Sequence, residues 1–163
     1  MKVYVASAAK EGGVYEYDYD GGKLKINKVT RIAHPMFLAI DGIGMHAVFG
    51  VDGDKFTEEG TYGVFSFGKD GLEPLGDRIS TKGCVPCHLS VADGEAYVVN
   101  YISGSVVRLP DGKIVKHEGQ GVNLPRQNSP HTHMALLSPD EKLVYVTDLG
   151  LDSIFVYDRD LNE

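Results

Sequence analysis

The feature that most restricts this chain is a repeat. Short runs rich in Val, Tyr and Phe begin at Val3, Met45, Ala96 and Leu143, in steps of 42, 51 and 47 residues. Each is followed by a second run, starting at Gly13, Gly60, Gly104 and Asp152, in steps of 47, 44 and 48 residues. The composition of these runs predicts strands at Lys2–Ser7, Gly13–Tyr19, Met45–Val51, Thr61–Phe67, Glu95–Tyr101, Ser105–Leu109, Leu143–Thr147 and Ser153–Tyr157. Between them stand six Asp-Gly pairs, at Asp20-Gly21, Asp41-Gly42, Asp52-Gly53, Asp70-Gly71, Asp93-Gly94 and Asp111-Gly112. Asp-Gly suits a tight hairpin, because both central residues of a type I′ turn need positive φ. No window of a dozen residues carries the i, i+3, i+4, i+7 spacing of an amphipathic helix. The chain reads as all-β.

A β-repeat of about 45 residues is the length of one propeller blade, four antiparallel strands arranged radially around a channel. The expected fold is therefore a β-propeller, with about three and a half four-stranded blades of a larger ring over residues 1–163 in a single domain. Within a blade, His88–Val91 and Met134–Leu137 read as inner strands and Lys113–His117 as an outer one. The first unit starts at a middle strand and the last stops before an outer strand. An open half-ring exposes strand edges. The expectation is that a missing C-terminal half or a second copy of the chain completes the ring, two copies summing to about seven blades. A β-sandwich with evenly spaced hairpins is the alternative.

Composition narrows the function. Acidic residues outnumber basic ones 23 to 16, a formal charge of −7, which argues against a nucleic-acid partner because a phosphate backbone needs a basic face. No run approaches the roughly 18 apolar residues of a membrane span, and the apolar stretch after Met1 is too short for a signal peptide. Glycine is high, 20 of 163 residues, in keeping with a turn-rich β protein. Cys84 and Cys87 would close too small a loop to staple anything, so a cytoplasmic setting is expected.

Chemistry-bearing residues gather between Gly83 and Asp152. The segment Arg126-Gln127-Asn128-Ser129-Pro130-His131-Thr132-His133 holds two imidazoles, a guanidinium and two amides just before an inner strand. Histidine suits proton transfer near neutrality, and Arg presents a planar fork to phosphate or carboxylate. The same residues also suit a polar loop whose histidines cap backbone groups. His131 and His133, two apart, face one side of an extended segment. A His-x-His pair can bind zinc with His88 or Asp148 as a third ligand, but nothing fixes that third position, and no metal or other cofactor is expected. Cys84-Val85-Pro86-Cys87 is followed by a strand rather than a helix, so it reads as two reduced thiols and not a redox centre. Asn100 and Asp148 occupy equivalent strand ends, where they either close turns or, for Asp148, orient a histidine.

These segments resemble the lactonase family of seven-bladed propellers, which includes bacterial 6-phosphogluconolactonases. The matching pieces are Gly83–Val91, Asn100–Val106, Arg126-Gln127, Pro130–His133, Ser138-Pro139-Asp140 and Asp148–Asp152, in the family's order and spacing. Val3–Ser7 and Pro35–Ala39 fit more loosely. The resemblance covers the N-terminal half of such a ring. It implies metal-free hydrolysis of a sugar-acid lactone, most typically the phosphorylated lactone of the pentose phosphate pathway. His133 would be the general base for water, His131 a supporting contact, and Asp148 part of the catalytic group. Arg126, Gln127, His88 and Asn100 would line the substrate site. Ser153 stands where Arg is common in the family, and further family site residues belong to a blade beyond Glu163. A related branch, the carboxymuconate cyclases, forms lactones on the same fold, and a non-catalytic binding module is the remaining alternative.

Overall fold

The computed structural model of the chain describes residues 1–51 and 57–163, and every regular element among them is a strand. The strands form four antiparallel sheets. The first is β1 (Lys2–Ser7), β2 (Gly13–Tyr19) and β3 (Leu24–Thr30), in that order. The second runs β4 (Pro35–Ile40), β5 (Met45–Phe49), β6 (Glu59–Phe67) and β7 (Leu72–Pro74), with β8 (Ile79–Cys84) pairing to the start of β6. The third is β9 (Pro86–Ala92), β10 (Glu95–Asn100), β11 (Ser105–Leu109) and β12 (Lys113–Lys116). The fourth is β13 (Thr132–Leu137), β14 (Leu143–Asp148) and β15 (Ser153–Asp158).

Side-chain alternation explains why the sheets stack face to face. On β10, Ala96 and Val98 point into one core with Val48, Tyr62 and Leu89, while Tyr97 and Val99 point into another with Ala135, Val144 and Val146. Both faces of the third sheet are covered, so β10 is one continuous apolar run and not an alternating one. On β5, Met45, Ala47 and Phe49 face the first sheet with Val14, and Val48 faces the third. Three cores thus sit between four successive sheets, as propeller blades require. β4, β9 and β13 pack side by side as the inner strands.

The two outermost faces stay uncovered. Ile154 is 66% exposed on β15, and Ile26 is 54% exposed on β3. The first sheet lacks an inner strand and the fourth lacks an outer one, as the phase of the repeat implies. The chain carries four sheets, the first and fourth three-stranded, in keeping with the expected three and a half or so four-stranded blades.

Differences from the sequence reading are local. β5 stops at Phe49 rather than Val51, and β6 begins at Glu59. β3, β4, β7 and β8 are strands that composition did not flag. Among the described residues, only Asp93-Gly94 has positive φ at both Asp-Gly positions (52° and 81°), as a type I′ turn requires. Asp41 instead accepts the Ile43 and Gly44 amides through Oδ1 at 2.8 and 3.1 Å, an Asx-type turn. Asp52-Gly53 lies outside the described residues.

Candidate active site

The site begins with the segment leading into β13. Two glycines seat it. A Cβ on Gly150 would lie 1.9 Å from the Ser129 carbonyl oxygen, and Gly104, at φ +56°, would place one 2.6 Å from Pro130. Only glycine lets the two turns approach this closely. Asp148, 2% exposed, then holds the segment from below. Its Oδ1 accepts the amides of His131 (2.8 Å), Gly150 (2.9 Å) and Leu151 (3.2 Å), and its Oδ2 accepts His117 Nδ1 at 2.6 Å. With Nδ1 donating, His117 Nε2 is the acceptor for the Tyr157 hydroxyl at 3.0 Å. Burial pushes the Asp148 pKa up, but these hydrogen bonds outweigh it and hold the carboxyl below its ordinary range.

Gln127 is the second anchor. Its Nε2 donates to the Leu149 carbonyl (2.8 Å) and Asp152 Oδ1 (2.6 Å), while its Oε1 accepts the Asn123 amide (2.9 Å). Asn100, fully buried, donates to the Thr81 carbonyl (2.9 Å) and Ser105 Oγ (3.2 Å), and its own carbonyl accepts the Thr132 hydroxyl (3.1 Å). Asp148, Gln127 and Asn100 therefore form the wall behind the histidines, with their polar groups turned into the fold. Asp148 does orient an imidazole, that of His117, and fixes His131 through its main chain.

Tyr101 brings the remaining groups together. His131 stacks on its ring at 4.6 Å with an 11° interplanar angle, and His133 meets it edge-on at 5.6 Å. The Arg126 guanidinium lies over the same ring at 5.5 Å, within cation–π range. His131 Nδ1 also reaches the Tyr101 carbonyl at 3.1 Å, and the Tyr101 hydroxyl is buried with no partner among the described residues. The two histidines thus share one neighbour. They differ in exposure: His131 is buried and His133 is open. His133 lines a shallow cleft of about 510 Å³ with Asp152, Ser153 and Ile154.

His88 stands on the adjacent inner strand, its ring 4.2 Å from that of Phe37 and its Nδ1 buried without a partner among the described residues. Burial first, and then the nearby His133, push its pKa down. It borders a separate cleft of about 440 Å³ with Ser90 and Leu136. Below His133, the Cys87 thiol points at the Thr132 and His133 carbonyls, 3.7 and 3.5 Å away. Burial pushes Cys87 up to about 12, so it is a protonated packing group. Both cysteines are free, as the sequence reading has them. Among the described residues, no His, Cys, Asp and Glu groups gather as a metal site would require.

Sequence reasoning missed two members. Tyr101 is 30 residues from His131 and meets it through the third and fourth sheets. His117 was read as the end of an outer strand, but β12 ends at Lys116 and the His117 ring turns inward. Both carried a signal, an aromatic and an imidazole placed directly after strand ends.

The seven-bladed β-propeller lactonase family matches over residues 2–163. An uncharacterized protein of Lactococcus lactis is 32% identical over 90% of this chain and 45% of its own length. The 6-phosphogluconolactonase of Bacillus subtilis is 28% identical over 94% of this chain and 48% of its own. The crystal structure of a periplasmic gluconolactonase from Pseudomonas aeruginosa superposes with a TM-score of 0.79 at 25% identity, over 96% of this chain and 49% of that one. The chain spans about half the length of the curated relatives it matches. No helix of the described residues is long and apolar enough to cross a membrane. With four blade-like sheets in sequence order and a family match over all but the first residue, the chain belongs to the seven-bladed β-propeller lactonases.

Proposed function

We propose that this chain carries one wall of a lactone-hydrolysing site that acts on a sugar-acid lactone with an anionic group, 6-phosphogluconolactone being the leading case. The carrying observation is the cluster on Tyr101, which sets an open imidazole and a guanidinium against one ring on a chain of lactonase ancestry. In this reading His133 takes a proton from water as the water attacks the lactone carbonyl carbon. The tetrahedral oxyanion collapses, the ring C–O bond breaks, and the ring oxygen leaves with a proton as a hydroxyl. The product is the open-chain carboxylate, and one proton is released to neutral buffer. Arg126 binds the substrate's anionic group through its fork. His131 and His88 flank the imidazole. Asp148, Gln127 and Asn100 act at one remove, holding the segment that carries the catalytic ring.

Proton release in a pH-stat tests this, with fresh gluconolactone and its 6-phosphate added to the chain. The reading expects a rate above spontaneous opening that His133→Ala removes. It also expects Arg126→Gln to raise KM more for the phosphorylated lactone than for the plain one. A rate equal to buffer, or one indifferent to His133→Ala, refutes it. A second reading, a binding module without turnover, draws on the openness of the His133 cleft, and saturable binding of a lactam analogue without hydrolysis would favour it.

A further inference from the structure

The cations of this acidic chain are not treated alike. Arg108 pairs with Asp111 and Asp160, and Arg159 with Asp93 and Glu95. Arg78 forms no hydrogen bond or ion pair with any described residue. Its guanidinium carbon instead lies 3.6 Å from the centroid of the Phe49 ring, over its face, and its five N–H donors make no hydrogen bond to a described residue. Burial alone pushes its pKa down, the mark of a cation partly withdrawn from water without a counter-charge. Arg31 also pairs with no carboxylate of the described residues. Its Nη1 donates to the Glu11 carbonyl (3.1 Å) and the Tyr15 hydroxyl (3.2 Å), which leaves its other edge free.

Arg31 and Arg78 both line one cleft of about 310 Å³ between the first and second sheets, with Ile32, Phe65, Leu72 and Pro74 as its apolar lining. The cleft is held open by bonds that cross between the sheets. The Leu72 amide donates to Thr30 Oγ1 at 2.8 Å, and Lys28 Nζ donates to the Gly68 carbonyl at 2.9 Å. It sits beside β3 and β7, the outer strands, so the free edge of β1 does not enter it. Its volume falls at the small end of ligand-sized sites, roughly 300–1,000 Å³. One guanidinium without a polar partner among the described residues, beside a second that pairs with no carboxylate there, matches an oxyanion carried on an apolar body.

We propose that the Arg31–Arg78 cleft is a binding site for small organic carboxylates, separate from the histidine cluster and independent of the lactonase reading. The carboxylate takes the bidentate edge of Arg78, with Arg31 closing the other side, and the apolar body rests against Phe65 and Leu72. Benzoate, with neutral benzamide as its shape-matched control, is titrated into the ¹⁵N-labelled chain and followed by amide chemical shifts. The expectation is saturable benzoate shifts centred on Gly63, Leu72 and Gly76, with benzamide roughly tenfold weaker or worse. Arg78→Gln weakens benzoate by about tenfold, Arg31→Gln by less, and Arg78→Lys falls between because it keeps charge but loses the fork. Arg126→Gln leaves benzoate affinity unchanged. The proposal is overturned if benzamide binds as well as benzoate, if shifts never saturate, or if they centre on Tyr101. Should Arg78→Gln fail to fold, the benzoate–benzamide difference and Arg78→Lys still decide the matter.

Discussion

Replacing Asp148 probes the joint on which the candidate site rests. The carboxylate is 2% exposed and accepts four hydrogen bonds, three from main-chain amides and one from His117. Asp148→Ala leaves those donors buried without an acceptor, and at about 1–3 kcal/mol for each buried group left unsatisfied, eased by relaxation, a loss of about 3–5 kcal/mol is expected. For a chain of this size, about 2–4 °C of melting temperature is lost per kcal/mol, so a fall of roughly 6–20 °C is expected. Asp148→Asn keeps an oxygen for the amides and offers its NH₂ to His117, which accepts in its other tautomer. It is expected to cost only about 1–2 kcal/mol, the charge-assisted part. The pH dependence follows from the direction of the shift. The folded-state pKa lies below the ordinary 3.8, so this contribution is complete above the unfolded pKa and is lost as pH falls through the folded value. The gap between the parent chain and Asp148→Asn in urea midpoints should therefore hold near pH 7 and shrink below about pH 4. An Asp148→Ala loss under about 1 kcal/mol, or a gap that widens in acid, would refute the assignment of Asp148 as the anchor.

Three further outcomes are expected. Tyr62→Phe removes the hydroxyl 2.6 Å from His46 Nδ1, on a ring whose Nε2 lies 2.9 Å from Asp41 Oδ1, and should cost about 1 kcal/mol in urea unfolding. Gly150→Ala should shift the His131 ring signals in NMR and destabilise by more than about 2 kcal/mol, because the new methyl meets the Ser129 carbonyl, which is fixed backbone. Cys87, held up at about 12, should react with iodoacetamide at pH 8 roughly a thousandfold more slowly in the folded chain than in urea, as read by mass spectrometry of the labelled peptide.

What could be read from the chain, and what could not, divides along physical lines. Middle strands such as β5 and β10 are buried on both faces, so unbroken runs like Tyr97-Val98-Val99 declare themselves. β3 is exposed along Leu24–Asn27 and carries four polar side chains, so it has little apolar signal. β7 is three residues long. β8, Ile-Ser-Thr-Lys-Gly-Cys, is held by hydrogen bonds such as Thr81 Oγ1 to the Gly60 carbonyl rather than by apolar packing. The site divides in the same way. The histidine pair and Arg126 are local and stand out in sequence. Their arrangement depends on Tyr101, which reaches them only because Thr132 bonds across to the Asn100 and Ser105 carbonyls. Nothing in the spacing of residues 101 and 131 encodes that tie.

The end sheets are short in opposite senses, and this governs how anything could continue the ring. β1 offers a bare main-chain edge toward the axis, and β15 offers one toward the rim. A seven-sheet circle built on this chain needs three whole sheets, one strand laid inside β1 and another laid outside β15. Whatever supplies them would be clasped at both seams by backbone ladders, like interlaced fingers rather than abutting blocks. Parting such halves would mean unzipping two rows of amide–carbonyl pairs at once, so the seams would open together or not at all.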